Sequence, residues 1–218
     1  MVAPTSLTTQ LSIYNAALRH IGERELASLT ENREPRRVLD GVWDDDFVDT
    51  CLEQGYWNFA TRAIKITYSP SVEPPFGYRY AFDVPNDHVR TAAVCNDEYF
   101  NSPVLAYTTE GEYWFCDLQE LYIKYVSNDN AFGMDYSLWP KTFTRWVELH
   151  LASLICERLT QNASKQEQLM KRAKRALIDA RSKDAMEEAT TFMPPGSWSR
   201  SRSSRVGRDR GNRSSLYN

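Results

Sequence analysis

The sequence lacks the short signatures that announce common catalytic chemistry. It has no GxGxxG or GxxxxGK[ST] loop to cradle phosphates, no HExxH zinc helix and no GxSxG nucleophile elbow. Acidic residues are plentiful, but nothing selects a pair at glycosidase spacing. We therefore assign no catalytic residue, no cofactor-binding residue and no metal ligand, and expect a protein that is not an enzyme. The four cysteines, Cys51, Cys95, Cys116 and Cys156, are scattered, with no CxxC pair and no histidine at ligand spacing. Buried free thiols are the expectation. His20, His88 and His150 are equally dispersed and read as structural imidazoles. No run approaches the ~18 apolar residues of a membrane span, so no membrane partner is expected. The opening MVAPTSLTTQ has neither the basic nor the apolar region of a secretory leader, which points to synthesis in the cytoplasm.

What is present is a clear sequence of amphipathic patterns. Leu11, Tyr14, Leu18 and Ile21 form one helical stripe, with Thr8 or Thr9 placed to cap its start and Gly22 placed to end it. A second helix is predicted from Pro35 to Gly55 through Leu39, Trp43, Phe47 and Cys51. Asp44, Asp45 and Asp46 lie beside that stripe. Successive helical residues point ~100° apart, so the cluster reads as a solvated face and not as a metal site. After Trp57 the period changes to two. ATRAIKITY, YRYAFDVP, HVRTAAV, SPVLAYTT, EYWFCDL and ELYIKYV read as short strands of one small, mostly antiparallel sheet across residues 60 to 127.

Helical periodicity returns at Pro140, with a stripe of Phe143, Val147, Leu151, Leu154 and Ile155. A last helix is predicted to open on a Ser164–Glu167 capping box. Its face, Ala173, Ala176, Leu177 and Ala180, is small enough for close packing against a neighbour, within this chain or in an adjacent subunit, and we assign it to subunit packing. The fold class expected is α+β: an antiparallel four-helix bundle with an inserted, mostly antiparallel β-sheet region and an extended C-terminal arm. The boundaries are 1–56 for the first helical pair, 57–135 for the β-rich insertion, 136–190 for the second pair and 191–218 for the arm. Tyr113, Trp114 and Phe115 are consecutive in a strand, so they point to alternate faces. They mark either a contact surface or a strand covered on both sides within the monomer.

The arm has its own chemistry. From Pro194 onward six arginines stand against one acid, Asp209, while residues 1 to 193 sit near a net charge of about −8. Ser, Gly and Arg alone would give a disordered tail, and arginine-rich arms also bind phosphates. Trp198, Leu216 and Tyr217 add apolar anchors that a purely electrostatic tail would not need. These favour a docking arm, with Arg200, Arg202, Arg205, Arg208, Arg210 and Arg213 meeting carboxylates on another protein. Its length would reach on the order of 80 Å when extended.

NAALRHIGE (Asn15 to Glu23), WNFATR (Trp57 to Arg62) and YRYAFDVPNDHVR (Tyr78 to Arg90), followed by two helices, occur here in a shared order. In that order the chain resembles the tail tubular protein A family, the head-to-tail adaptors of short-tailed bacteriophages, over residues 9 to 190. The resemblance implies a virion protein of the tail neck: a homo-oligomeric ring of twelve subunits beneath the portal protein. Its β region, with Tyr113, Trp114 and Phe115, would face the tail nozzle (tail tubular protein B) and the tail fibres. The arm would grip the portal, and genomic DNA would pass through the lumen without specific binding. An acidic body suits such a conduit, since like charge repels phosphate. A tail-associated polysaccharide or peptidoglycan hydrolase, and a nucleic-acid-binding protein using the Arg-rich tail, are the alternatives.

Overall fold

The computed structural model describes residues 8–74 and 76–187. Helix α1 (Gln10–Ile21) is fixed at both ends by its own sequence. The Thr9 side chain accepts from the Ser12 amide at 3.2 Å, and Ser12 Oγ accepts from the Thr9 amide at 2.9 Å. Gly22 closes the helix at φ 80°, in the left-handed region that glycine enters freely. The second helix is not continuous. It starts with Pro35 in its first turn as α2 (Glu34–Val42), breaks in the turn Trp43–Phe47, and resumes as α3 (Val48–Glu53). Asp45 (φ −90°, ψ 51°) and Asp46 (φ 52°, ψ 28°) leave helical geometry there. All three aspartates of the cluster are exposed, as expected of a solvated face.

Six strands follow at the predicted places: β1 (Thr61–Thr67), β2 (Tyr80–Asp83), β3 (His88–Cys95), β4 (Tyr107–Glu110), β5 (Tyr113–Cys116) and β6 (Glu120–Ser127). They form two three-stranded antiparallel sheets and not one, ordered β1-β6-β3 and β2-β5-β4. Phe82, Trp114 and Cys116 from one sheet share a core with Val94, Leu121, Ile123 and Tyr125 from the other. The alternation along β6 places Leu121, Ile123 and Tyr125 on that shared face, each fully buried. Burial of a side chain of this size contributes roughly 1.5–3 kcal/mol.

Two long helices complete the described chain, α4 (Lys141–Thr160) and α5 (Ala163–Glu187). They form a hairpin: Lys141 and Lys183 line the same groove as Leu149 and Arg172, so the helices run antiparallel. The start of α5 is capped two residues earlier than the Ser164 box predicts. Asn162 Oδ1 accepts from the Lys165 amide at 3.0 Å, and the Asn162 carbonyl accepts from Gln166 at 3.1 Å.

The expected four-helix bundle does not form. Helix α4 is instead a central rod, with α1, α2 and α5 each packed against it. A bundle needs four helices of matched length. Here 20- and 25-residue helices meet partners of 12, 9 and 6 residues, the last two separated by the Asp45–Asp46 kink. Aromatic rings gather against Phe143 in the first turn of α4. Trp57 meets Phe143 at 4.7 Å between centroids, Phe59 meets Phe143 at 4.8 Å, and Trp139 meets Phe143 at 4.9 Å. The main core joins these rings to Leu18, Leu39, Leu151 and Ile155, and Val126 extends it into the foot of β6.

The turn after β6 has one position with no room for a side chain. Gly133 donates to Ser127 O at 3.1 Å and accepts from Trp139 Nε1 at 2.9 Å. A Cβ there would lie 2.3 Å from Ser127 O and 2.6 Å from Leu52 Cδ1. Gly133→Ala is expected to cost about 2–3 kcal/mol, because backbone must shift to relieve the overlap. Urea unfolding reads this directly, and an unchanged midpoint would show that the turn is looser than its contacts imply.

Candidate interaction surfaces

The densest polar cluster sits where the sheets meet the helices. Asp87, in the turn between β2 and β3, accepts from Arg62 Nη1 at 2.8 Å, Ser127 Oγ at 2.6 Å and Tyr125 Oη at 3.0 Å. Its own backbone carbonyl accepts from Asn128 at 3.0 Å. Burial alone would raise the Asp87 pKa. The hydrogen bonds from Ser127, Arg62 and Tyr125 outweigh that, so the carboxyl lies below its usual range. Tyr125, buried and facing this carboxylate, is pushed up to about 12. Nearby, Arg90 donates to Glu53 O at 3.0 Å and covers the Tyr56 ring at 4.2 Å, tying β3 to α3.

A serine, a histidine and an aspartate thus lie close together, but they do not make a nucleophile–base pair. Ser127 donates to Asp87. His88 instead places Nε2 2.9 Å from Thr91 Oγ1, with its ring 5.3 Å from Trp114 and 5.5 Å from Tyr125. Burial lowers its pKa, and burial likewise lowers that of His150, which stacks between Phe47 and Trp146. The cluster is a joint. It holds β1, β6 and the β2–β3 turn together, and nothing in the linear sequence marks it, because Arg62, Asp87 and Tyr125 are far apart along the chain.

The α4–α5 hairpin has two contrasting flanks. On one, a groove of 520 Å³ runs between the helices, carrying Lys141, Arg145, Arg172, Arg175 and Lys183 against the single acid Asp179. Among the described residues, none of these five cations makes an ion pair. The neighbouring cations do: Lys171 reaches Glu167 at 2.6 Å and Arg19 reaches Glu25 at 3.2 Å. The effect of this charge is felt at the end of α1. His20 has its pKa lowered by burial and by the positive charges of Arg172, Arg145 and Arg19. The other flank holds a more apolar groove of 370 Å³, formed by Leu154, Met170, Ala173 and Leu177 with Thr50 and Gln54 of α3. Leu154 and Met170 are each 47% exposed there.

The residues predicted as surfaces divide. Ala173 and Ala180 are buried inside this chain, 4% and 1% exposed, so their small size serves the packing of α5 on the core. Ala176 and Leu177 are half-buried and border the two grooves. In β5, Trp114 is fully buried between the sheets and Phe115 nearly so, leaving Tyr113 half-buried against the Phe115 ring. The strand is therefore covered largely within the monomer. The prominent exposed rings of the β region are Phe76 and Tyr99, and Leu105 stands beside them in exposure. They occupy the loops after β1 and β3, which run parallel on either side of β6 and so end on the same side, away from the foot of β6. The arm residues Trp198, Arg200, Arg202, Arg205, Arg208, Arg210, Arg213, Leu216 and Tyr217 lie outside the described residues.

All four cysteines are buried and unpaired, and burial raises the thiol pKa of Cys51, Cys95 and Cys116. Among the described residues, no group of three or more His, Cys, Asp and Glu side chains is placed to hold a metal ion, and no helix is long and apolar enough to cross a membrane. Comparison with protein-family models and with curated proteins finds no match.

Proposed function

We propose that this chain is a structural virion protein, the head-to-tail adaptor of a short-tailed bacteriophage. Twelve copies form a ring between portal and tail nozzle, with genomic DNA passing through the lumen. The arm after Met193 docks on the portal, and the β region faces nozzle and fibres. The observation that carries the reading is the ordered set of three motifs, together with how their residues are used. Asn15 of the first motif clasps Leu26 by two hydrogen bonds, at 3.0 and 2.8 Å, and so sets the loop after α1. Trp57 and Arg62 of the second sit in the aromatic core and on Asp87 of the third. Motif residues that interlock as a frame fit a subunit whose job is to keep its shape in an assembly. Open grooves on both flanks of the α4–α5 hairpin offer surfaces for neighbours.

Electron microscopy of the protein mixed with isolated portals tests this. The expected image is a twelvefold ring attached to the portal, lost when the chain is truncated after Met193 although the truncated protein remains folded. Portals left bare by the full-length chain would overturn the adaptor reading. Normal joining by the truncated chain would overturn the role of the arm.

A further inference from the structure

We propose that the groove between α4 and α5, lined by Lys141, Arg145, Arg172, Arg175 and Lys183, is a sequence-independent binding site for the phosphate backbone of nucleic acid. This goes beyond the adaptor reading and does not depend on ring assembly. Residues 1 to 193 carry about −8 in total, yet here five cations face one acid across a single groove. Among the described residues none of the five is neutralised by an ion pair. All five are exposed, and Glu148, Asp179 and Asp184 are the acids nearest them along the two helices. An uncompensated concentration of one charge in a concave surface raises the local potential and draws in the opposite charge.

The donors suit phosphate. Three of the five are arginines, whose planar forks grip phosphate oxygens in pairs. Thr142 adds a hydroxyl to the wall. The groove also takes in the first turn of α4, where Pro140 at the N-cap supplies no side-chain hydrogen bond. The amides of Lys141, Thr142 and Phe143 precede the first intrahelical bond, from Thr144 to Pro140 O at 2.9 Å. They bring the positive end of a 20-residue helix to the same place.

The dimensions agree. From Arg172 to Lys183 the α5 wall runs about 16 Å at 1.5 Å per residue. One DNA strand presents a phosphate about every 3.4 Å along the duplex axis, so four or five phosphates fit its length. An acidic peptide is the less suitable occupant, because Leu149 and Ala176 are the main apolar surface on offer and peptide interfaces rely on buried apolar anchors. The walls carry no aromatic ring on which a base could stack, so the site reads backbone and not sequence.

The test is fluorescence anisotropy of a labelled, random-sequence 20-base-pair duplex across a salt series. The parent protein is the full-length chain with the six arm arginines, Arg200 to Arg213, replaced by serine, which removes the competing cationic segment. Arg145→Ala/Arg172→Ala/Arg175→Ala in that parent is expected to reduce the slope of log K against log salt by about 3. Affinity at 0.1 M salt should fall by roughly tenfold or more. The three side chains are exposed, so the thermal midpoint should not move. The triple Arg→Lys variant should keep the slope, because charge is retained. The proposal is overturned if the parent binds no duplex, or if the alanine variant matches it in slope and affinity. It is overturned too if polyglutamate displaces the duplex at equal charge, which would mark a carboxylate site.

Discussion

Asp87→Ala is expected to lower the stability of the chain by about 2–4 kcal/mol, because two buried hydroxyls lose their acceptor at about 1–3 kcal/mol each. The loss is large because two of the three donors are stranded, while Arg62 is exposed enough to turn to water. Tyr125 and Ser127 are fully buried, and neither can turn to water when the carboxylate goes. Asp87→Asn keeps the shape and loses the charge, so a smaller loss of about 1.5–3 kcal/mol is expected. Guanidinium unfolding followed by circular dichroism measures both. A midpoint for the alanine variant within experimental error of the parent would remove Asp87 from its place as the joint.

The same carboxylate carries a pH dependence. Its folded pKa lies below the unfolded value of about 3.9. The folded state therefore binds that proton less readily, and the contribution of Asp87 is fully present above the unfolded value. It is lost as pH falls through the folded pKa. Acid unfolding of the parent below about pH 4 should contain this component, and the asparagine variant should lack it.

Trp57→Ala is the second large effect, with an expected loss of about 3–5 kcal/mol. Trp57 is 1% exposed and donates from Nε1 to Cys51 O at 3.3 Å. Its ring faces Phe143, Trp146 and Phe59, so its removal opens a cavity at the point where α3, the first strand and α4 converge. Gly55 is shaped around it: a Cβ there would stand 2.9 Å from the indole. Hydrogen exchange separates the two variants. Loss of Trp57 should expose the amides of α4 first, and loss of Asp87 those of β1, β3 and β6. Equal loss across both regions in either variant would contradict two distinct centres of stability.

Much of the element order was legible because it depends on local chemistry. Thr9 and Gly22 bound α1, Pro35 opens α2, and the alternation in ELYIKYV gives β6 its buried face. Pairing was less so. A short strand such as YWFC carries no mark of its partner, and the division into two sheets depends on contacts between β5 and both β2 and β4. The break at Asp45 and Asp46 has a faint signal, since aspartate tolerates left-handed backbone better than most residues. No Gly or Pro announces it, and the apolar stripe runs straight through. That single break, with the short α1, accounts for the failed bundle. Of the candidate surfaces, the basic groove was invisible because Arg145 and Arg172 are far apart in sequence and meet only when α4 and α5 fold back on each other. The Ala173–Ala180 stripe was visible, but sequence alone could not say that its neighbour lies within the same chain.

The long C-terminal helix also orders events in time. Near its start, Lys165 Nζ donates to Ile21 O at the end of α1. Near its end, the Asp184 carboxylate accepts from the Asn58 amide at 3.1 Å while Asn58 Nδ2 donates to Asp184 O at 2.8 Å. The end of α1 and the Asn58 segment are therefore clasped by the last described helix. On the ribosome the six strands are complete once Ser127 has emerged, and their pairing needs nothing beyond it. The helical half must wait for some sixty residues more, a few seconds at ~5–20 residues per second. During that interval α1 and the Trp57 segment are without the helices that cover them, so nascent chains halted in this window are the ones that a chaperone would meet with apolar surface still open.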